Sequence, residues 1–300
     1  MPIPFLTDTD VAYGVLERVA PGVRRILVNN LGPFTYTGTW TYVVGEGEVA
    51  VIDPGPVDEA HLDALLAGLG SETVSHILIT HTHLDHSPGA APLKALTGAP
   101  TLGFGPHGAG KAAQGVRVEE GGDMAFQPDI VLADGAQIEG KGWSLEAVYT
   151  PGHTSNHLAF AWGLEKALFC GDVVMGWSTA VISPPDGDMG DYFQSLERLA
   201  AREDRVFYPT HGPAIPNPQP FVRAYIDHRR ERERQVLDQL SDTPQSISAF
   251  VATIYAAVDP RLHPAAALSV RAHLDLLEQN GQVVGNDGAA GERLYTRSPS

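Results

Sequence analysis

The sequence predicts an α+β protein in two parts, a large domain of sheets and helices followed by a small, mainly helical one. Short apolar runs of strand length alternate with helical patterns in residues 1–219, first in one half and then again in the other. Three helical patterns and a glycine-bearing hairpin follow in residues 220–300. Between the two parts, residues 213–220 contain four prolines, which predicts a stiff connector.

The first half of the large domain is predicted to consist of strands that lead to one polar turn. β-Branched runs on either side of Gly45-Glu46-Gly47 indicate a hairpin. Leucines at helical spacing indicate the first helix. The predicted elements are strands over residues 23–29 and 77–79, a hairpin over 41–53, and helices over 61–69 and 91–97.

The second half has the same pattern of short strands, and the helical part follows it. The predicted strands cover residues 130–139, 143–149, 157–162 and 167–170, and the predicted helices cover 191–201, 221–240, 247–258 and 264–280. Gly281 is expected to cap the last helix. Residues 282–285 and 293–296 are expected to pair as an antiparallel wing. The last three helices and this wing predict a winged-helix-like domain over residues 220–300.

One segment, His81-Thr82-His83-Leu84-Asp85-His86, predicts a metal site directly after a buried strand. In an extended chain His81, His83 and Asp85 point to one side, and a turn would bring His86 back beside Asp85. Imidazole and carboxylate suit zinc, or iron or manganese where carboxylates are more numerous. The segment therefore offers two ligand pairs for two adjacent metal ions.

Three further residues of ligand type each follow a short apolar strand, namely His153, Asp172 and His211. Each lies beside a glycine, which permits close approach of the backbone. Any one of them alone, His211 above all, would be an ordinary turn residue. Four strand ends that together supply seven ligands favour a dinuclear metal centre.

These residues carry a resemblance to the metallo-β-lactamase superfamily, whose ligand pattern is complete in this chain. Over about residues 15–285 the chain also resembles the beta-lactamase-like 2 group of that superfamily. The stretches that carry this likeness are Pro151-Gly152-His153-Thr154-Ser155-Asn156-His157, Gly171-Asp172-Val173-Val174-Met175-Gly176, Tyr225-Ile226-Asp227-His228-Arg229 continuing to Gln235-Val236-Leu237, and His273-Leu274-Asp275-Leu276-Leu277-Glu278.

The resemblance implies an αββα sandwich with the metals at one edge between its sheets, followed by a winged-helix-like domain. It implies two Zn²⁺ ions per chain, with iron or manganese as alternatives, and a matching aspartate, Asp53, beside them. The implied ligands are His81, His83 and His153 for one ion, Asp85, His86 and His211 for the other, and Asp172 as the bridge. The implied catalytic residues are His81, His83, Asp85 and His86.

Composition describes an ordinary globular chain with an acidic surface, 43% hydrophobic and 19% charged. We expect no transmembrane helix, because no run of 18 or more apolar residues occurs. A cytoplasmic location is expected, since the N-terminus lacks the features of a secretory signal and the single Cys170 cannot form an internal disulfide. The net charge of −16 argues against a general nucleic-acid binder.

The predicted activity is hydrolysis by a hydroxide that bridges two zinc ions and attacks a carbonyl or phosphorus centre. Asp85 is expected to orient the attacking water, and Asp172 to fix the spacing of the ions. Three alternatives stay open. By resemblance the first is cleavage of single-stranded RNA, as in the beta-lactamase-like 2 endoribonuclease group. The second is hydrolysis of a small-molecule thioester, lactone or ester, as in glyoxalase II. The third is a non-catalytic metal-binding interaction module. The oligomeric state is also open.

Four other features have expected structural roles. The glycine-rich segment from Gly103 to Gly122 is interpreted as a loop that borders the substrate cleft. His157 is interpreted as a hydrogen-bonding residue and Cys170 as a small buried hydrophobe. The charges of residues 229–234 alternate in sign, which favours a solvated, salt-bridged helix face over an RNA-binding track.

Overall fold

Two mixed β-sheets face each other in the computed structural model, which describes residues 3–7, 9–111, 121–288 and 291–299. The first sheet contains seven strands in sequence order. Its first four strands pair antiparallel, and the remaining strands pair in parallel. The strands are β1 (Glu17–Ala20), β2 (Val23–Leu27), β3 (Trp40–Glu46), β4 (Glu48–Ile52), β5 (Thr73–Leu78), β6 (Thr101–Gly103) and β7 (Ile130–Val131).

The second sheet contains six strands in the order β13-β12-β11-β10-β9-β8. All of its pairs are antiparallel except β11 with β12, which run in parallel on either side of a helical crossover. The strands are β8 (Gln137–Gly140), β9 (Trp143–Tyr149), β10 (Leu158–Trp162), β11 (Ala167–Gly171), β12 (Val206–Pro209) and β13 (Ile215–Pro216).

Side chains alternate in direction along the strands, and this alternation divides the apolar residues into three layers. Tyr42 and Ile52 point into the core between the sheets, whereas Val43 and Val51 point to the opposite face. That outer face is covered by α1 (Glu59–Leu69) and α2 (Ala90–Thr97). The outer face of the second sheet is covered by α3 (Met189–Ala200) and by the start of α4 (Pro218–Gln239). The predicted αββα sandwich is therefore confirmed.

The C-terminal part has its own apolar core, formed by α5 (Ile247–Ile254), α6 (His263–Gln279) and the second half of α4. A three-stranded antiparallel sheet completes it. Its strands are β14 (Gln245–Ser246), β15 (Val283–Asp287) and β16 (Arg293–Arg297). The predicted wing is confirmed, and β14 adds a strand that the sequence pattern did not indicate.

The proline-rich segment is not the separate, stiff connector that its composition predicts. Residues Ile215–Pro216 pair with β12, and α4 already begins at Pro218. Proline is compatible with this position because the first turn of a helix leaves its N–H groups without intrahelical partners. The predicted division of the chain at residues 219 and 220 stays a prediction.

The start of α4 is joined to the second sheet by polar contacts as well as by packing. The buried Tyr225 hydroxyl accepts the N–H of Met175 at 3.1 Å and lies against the carbonyl oxygens of Met175 and Ser178. The buried Arg229 donates to the carbonyl oxygen of Ala180. These bonds fix the loop that follows Asp172 to the helix.

The described residues contain no helix that is both long enough and apolar enough to cross a membrane.

Replacing Tyr225 by phenylalanine tests this attachment. We expect Tyr225→Phe to lower the free energy of unfolding by about 1–3 kcal/mol, because a buried backbone N–H and carbonyl lose their partner. Chemical denaturation followed by circular dichroism measures the change. Tyr295→Phe is the matched control, since the buried Tyr295 hydroxyl has no hydrogen-bond partner among the described residues. Equal losses in the two variants would contradict the assignment.

Candidate metal centre

All seven residues predicted as metal ligands lie at one edge of the sandwich, each just after a strand. β5 leads to the segment from His81 to His86, β9 to His153, β11 to Asp172 and β12 to His211. In the first segment the chain turns, because the N–H of His86 donates to the carbonyl oxygen of His83 at 3.0 Å. This turn brings His86 back beside Asp85, as the sequence predicts.

Three histidines form the first half of the cluster. Nδ1 of His83 lies 3.0 Å from Nε2 of His81 and 3.1 Å from Nε2 of His153. A tetrahedral zinc ion bound at about 2.0–2.1 Å would separate its nitrogen ligands by roughly 3.3 Å. The three nitrogens therefore surround a position of the size that a divalent ion needs.

Asp85, His86 and His211 form the second half. Oδ2 of Asp85 lies 3.1 Å from Nε2 of His211 and 3.6 Å from Nε2 of His86. Oδ2 of Asp172 lies 3.6 Å from Nε2 of His86 and 3.5 Å from Nε2 of His211.

Asp172 also reaches the first half, since the same Oδ2 lies 3.7 Å from Nε2 of His153. A single carboxylate oxygen is thus shared between the two groups of histidines. This is the position expected of a ligand that bridges two ions.

The unsatisfied atoms of the cluster fit a cation. Nε2 of His86 and Oδ1 of Asp172 are buried and have no hydrogen-bond partner among the described residues. Within the first half, three imidazole nitrogens face one another, although neutral imidazoles offer too few N–H donors to satisfy them all. Imidazole nitrogen together with carboxylate oxygen is the donor set of zinc, iron and manganese.

Backbone carbonyls and one buried carboxylate orient the histidines from behind. Nδ1 of His153 lies 2.7 Å from the carbonyl oxygen of Val181, and Nδ1 of His211 lies 3.0 Å from that of Gly38. Nδ1 of His86 lies 3.0 Å from Oδ2 of Asp53. In each case Nδ1 is occupied, so Nε2 is the nitrogen that faces the centre.

Asp53 is the anchor of this arrangement. It is buried, and its carboxylate accepts the N–H of Thr80 at 2.8 Å and the hydroxyl of Thr80 at 2.6 Å. The hydroxyl of Thr210 lies 3.3 Å away. Asp53 also has a φ of 48°, a left-handed conformation that only a few non-glycine residues adopt. Asp53 lies beside the site, where the resemblance places it.

Electrostatics distinguish the two halves. Burial lowers the pKa of His81 and His153, and lowers that of His83 to about 3. These imidazoles are neutral at pH 7, the form that binds metal. In the second half burial disfavours a charged imidazole and so lowers the pKa of His211. The carboxylates of Asp172 and Asp85 outweigh burial and raise this pKa to about 10.

Charge pairing also shifts the pKa values of His86, Asp85 and Asp172. The carboxylates raise the pKa of His86 well above its usual value in spite of burial. The two imidazoles in turn hold the pKa of Asp85 and Asp172 below the usual range. A cation entering the second half must therefore displace the protons of His86 and His211, which the carboxylates stabilise.

His157 and Cys170 have the structural roles that were predicted for them. Nε2 of His157 accepts the N–H of Asp172 at 3.1 Å, while its Nδ1 lies 2.8 Å from the hydroxyl of Thr150. His157 thus positions the backbone of Asp172. Cys170 is fully buried in β11, where burial raises the pKa of its thiol.

The described ends of the glycine-rich segment lie against the centre. The N–H of Leu84 donates to the carbonyl oxygen of Gly121 at 2.8 Å, and Gly122 pairs with His83. A Cβ at Gly122 would lie 2.3 Å from Nε2 of His107, so any side chain here would have to displace the His107 ring. Residues 112–120 of this segment lie outside the described residues, and its role at the cleft stays a prediction.

Sequence reasoning missed several of the orienting groups. Thr80 and Thr210 each precede a predicted ligand, and the repeated Thr-His pairs at Thr80-His81, Thr82-His83 and Thr210-His211 are a signal that was present. The carbonyls of Gly38 and Val181 left no signal, because any residue type supplies a carbonyl.

Comparison with known families agrees with this architecture. The profile described as the metallo-beta-lactamase superfamily matches residues 35–211. A second profile, described as a beta-lactamase associated winged helix domain, matches residues 246–291.

Curated relatives extend the similarity to nearly the whole chain. A beta-lactamase-like protein 2 homolog from Drosophila melanogaster is 32% identical over 300 residues, which cover 95% of this chain and 97% of the relative. An atrochrysone carboxyl ACP thioesterase from Aspergillus fumigatus is 34% identical over 242 residues, which cover 78% of this chain and 68% of the relative.

Among solved structures, a beta-lactamase domain protein from Burkholderia ambifaria superimposes with a TM-score of 0.80 at 21% identity and covers 96% of both chains. A metallo-beta-lactamase family protein from Thermus thermophilus superimposes with a TM-score of 0.76 at 24% identity, covering 93% of this chain and all of that one. At these identities the likeness concerns the fold alone.

Replacing Asp53 by asparagine tests how the centre is held. We expect Asp53→Asn to weaken metal binding in the second half of the cluster by about 10- to 100-fold, because His86 loses the carboxylate that orients it. Metal content per chain after dialysis in a zinc buffer, measured by mass spectrometry, should fall. The control Asp129→Asn removes a carboxylate that binds Thr101 away from the centre. An unchanged metal content in Asp53→Asn would refute the role of Asp53.

Proposed function

The chain belongs to the metallo-beta-lactamase superfamily and is a hydrolase of that fold, and we propose that it uses two zinc ions to cleave carboxylic thioesters or esters. One observation carries the proposal: seven buried or half-buried ligand atoms converge in two groups that share Asp172. A donor set arranged in this way suits a pair of metal ions.

In the proposed centre Nε2 of His81, Nδ1 of His83 and Nε2 of His153 would hold one ion. The members of the second half, Asp85, His86 and His211, would hold the other. Asp172, whose Oδ2 lies near histidines of both halves, would contribute to holding both. When bound, the ions lower the pKa of a water molecule towards about 7 and stabilise negative charge on the attacked oxygen.

The side chains of the centre then have separate tasks. Asp85 is the most exposed of the carboxylates, with 27% of its side chain accessible, and it orients the attacking water and accepts its proton. Asp53 keeps Nε2 of His86 facing the centre. In the overall reaction the water oxygen bonds to the acyl carbon and the carbon–sulfur or carbon–oxygen bond breaks. The leaving group takes the proton that Asp85 accepted and is released as a thiol or alcohol.

Three observations favour an acyl substrate. The thioesterase from Aspergillus fumigatus is 34% identical over 242 residues, which cover 78% of this chain. The net charge of −16 disfavours long-range attraction of a polyanion such as RNA. In addition, an aromatic pair, Tyr36 stacked on Trp177 with ring centroids 4.8 Å apart, stands next to His211 and Gly212. Such a surface suits an uncharged organic group.

Cleavage of single-stranded RNA is the second candidate. It is favoured by the nearly full-length match to the beta-lactamase-like protein 2 homolog and by the winged helix match at residues 246–291. On this alternative the cleft and the C-terminal part would contact the phosphodiester backbone, and binding would weaken steeply with salt.

A substrate panel on the zinc-loaded chain separates the candidates. We expect hydrolysis of S-lactoylglutathione or an acyl-pantetheine thioester, and slower or no cleavage of a lactone, nitrocefin and a labelled RNA oligomer. Activity should be lost on chelation and return with zinc. Cleavage of the RNA alone would establish the second candidate instead. Failure to cleave any of them with two ions bound would favour a non-catalytic metal-binding module.

Replacing Asp85 by asparagine tests its proposed task. With zinc saturating, Asp85→Asn should lower kcat by about 10²- to 10⁴-fold, because the attacking water loses its proton acceptor. Steady-state kinetics and metal content are measured on the same samples, so that loss of an ion is distinguished from loss of the base. Asp63→Asn, an exposed change on α1, controls for the removal of one negative charge. A kcat within about twofold of the unchanged chain would exclude the assignment.

A further inference from the structure

A cavity of about 280 Å³ lies between the loop that follows Asp172 and the C-terminal helices. One wall is formed by residues 177–181, and the other by α4 and the start of α6. Phe34 and Tyr255 contribute aromatic rings to the lining. The cavity is thus built jointly by the sandwich and by the C-terminal part.

Nitrogen donors without partners are concentrated in this lining. Four buried nitrogens of its residues have no hydrogen-bond partner among the described residues. They are Nε1 of Trp177, Nδ1 of His228, Nε of Arg229 and Nε of Arg232. Buried polar groups are nearly always satisfied in native proteins, so this group of unpaired nitrogens makes the wall of the cavity polar and short of acceptor atoms.

The charges of the lining have one sign. Arg229 is 2% exposed, and no carboxylate of the described residues lies within ion-pair distance of it. The guanidinium of Arg232 lies 4.7 Å from the ring centroid of Tyr255 and donates to Gln235 at 2.8 Å, again without a described carboxylate partner. The lining contains no aspartate or glutamate among the described residues, in a chain with a net charge of −16.

This finding corrects one expectation from the sequence. The alternating charges of residues 229–234 predict a solvated, salt-bridged face. That prediction is confirmed for Arg230, which pairs with Glu197, and for Arg234, which pairs with Glu231. It is wrong for Arg229, because the helix turns this residue towards the second sheet.

The environment of His228 reports the same positive field. Burial together with the charges of Arg229 and Arg232 lowers the pKa of His228 to about 4. Around neutral pH this imidazole is therefore uncharged, and the two guanidinium groups are the charges that a ligand would meet.

The cavity adjoins the metal centre through shared residues. The carbonyl oxygen of Val181, a lining residue, lies 2.7 Å from Nδ1 of His153. Trp177, another lining residue, packs so closely on Gly212 that a Cβ there would lie 2.9 Å from its ring. Gly212 directly follows His211. The cavity thus begins immediately behind two of the predicted ligands.

We propose that this cavity binds an anionic group, a phosphate or a carboxylate, on the arm of the substrate whose scissile bond lies at the metal centre. Arg232 is the principal recognition residue, because a guanidinium matches the planar acceptor geometry of both groups. Arg229 adds charge, and the indole of Trp177 offers a further donor. The orientation of the substrate, with its scissile bond at the metal centre, rests on the proposed acyl hydrolysis. Binding of the anionic group can be measured separately.

Binding of non-hydrolysable thiols to the full, zinc-loaded chain tests the proposal. Calorimetry compares 4′-phosphopantetheine, glutathione and uncharged pantetheine. We expect at least one of the two anionic thiols to bind about tenfold or more tightly than pantetheine, as charge-assisted hydrogen bonds to buried groups provide. The thiol that shows the preference identifies the anion as phosphate or carboxylate.

Matched variants locate the effect. Arg232→Gln should abolish the preference, Arg232→Lys should restore part of it, and Arg230→Gln, on the same helix but exposed, should leave it unchanged. Equal binding of all three thiols, or an equal loss in Arg230→Gln, would overturn the proposal. If the preference depends on Arg232 but no thioester is hydrolysed, the proposed function fails and the anion site stands. If thioesters are hydrolysed but binding shows no preference for the charged thiols, the anion site fails and the proposed function stands.

Discussion

The carboxylate of Asp172 is the charge around which the edge of the sandwich is organised. It is buried, and one of its oxygens lies within 3.7 Å of three imidazole nitrogens that come from three different strand ends. A buried carboxylate is costly unless positive charge and hydrogen bonds compensate it. The surrounding histidines, and the imidazole of His157 behind the backbone of Asp172, provide that environment. The ligands that follow strands of both sheets must therefore lie at the same level along the edge of the sandwich for the centre to form.

Most of the candidate centre could be predicted from the sequence, because ligand-type residues stand directly after apolar strands. Chain order alone then places them at one edge. The groups that orient these ligands were harder to predict from the sequence. Thr80 and Thr210 act through hydroxyls beside the ligands, and the carbonyls of Gly38 and Val181 belong to loops whose residue types carry no information about their position.

The fold shows the same division between what sequence patterns reveal and what they do not. The hairpin of β3 and β4, the helices α1 to α3 and the wing have enough residues for their periodicity to be visible. Strands of two or three residues, such as β6, β13 and β14, do not. The cavity was beyond prediction for a different reason. Its walls come from four separate segments, within residues 33–34, 175–181, 228–232 and 255–269, and Arg229 looks like a surface residue until α4 is docked.

The distribution of charge links these observations. The surface is acidic, whereas the cavity lining and the proposed pair of ions are positive. Long-range repulsion from the surface acts on any anion, but it grows with the number of charges that an incoming molecule carries. A compact ligand with one or two negative groups meets a small barrier and a favourable interior. A long polyanion meets the opposite balance.

Helix α4 belongs to two apolar cores at once. Phe221, Val222 and Tyr225 pack against the second sheet, and Val236 and Leu237 pack in the C-terminal core. Its 22 residues form a continuous rod about 33 Å long. Melting either core would free half of this rod and remove support from the other half. The shared helix therefore couples the stability of the sandwich to that of the C-terminal core.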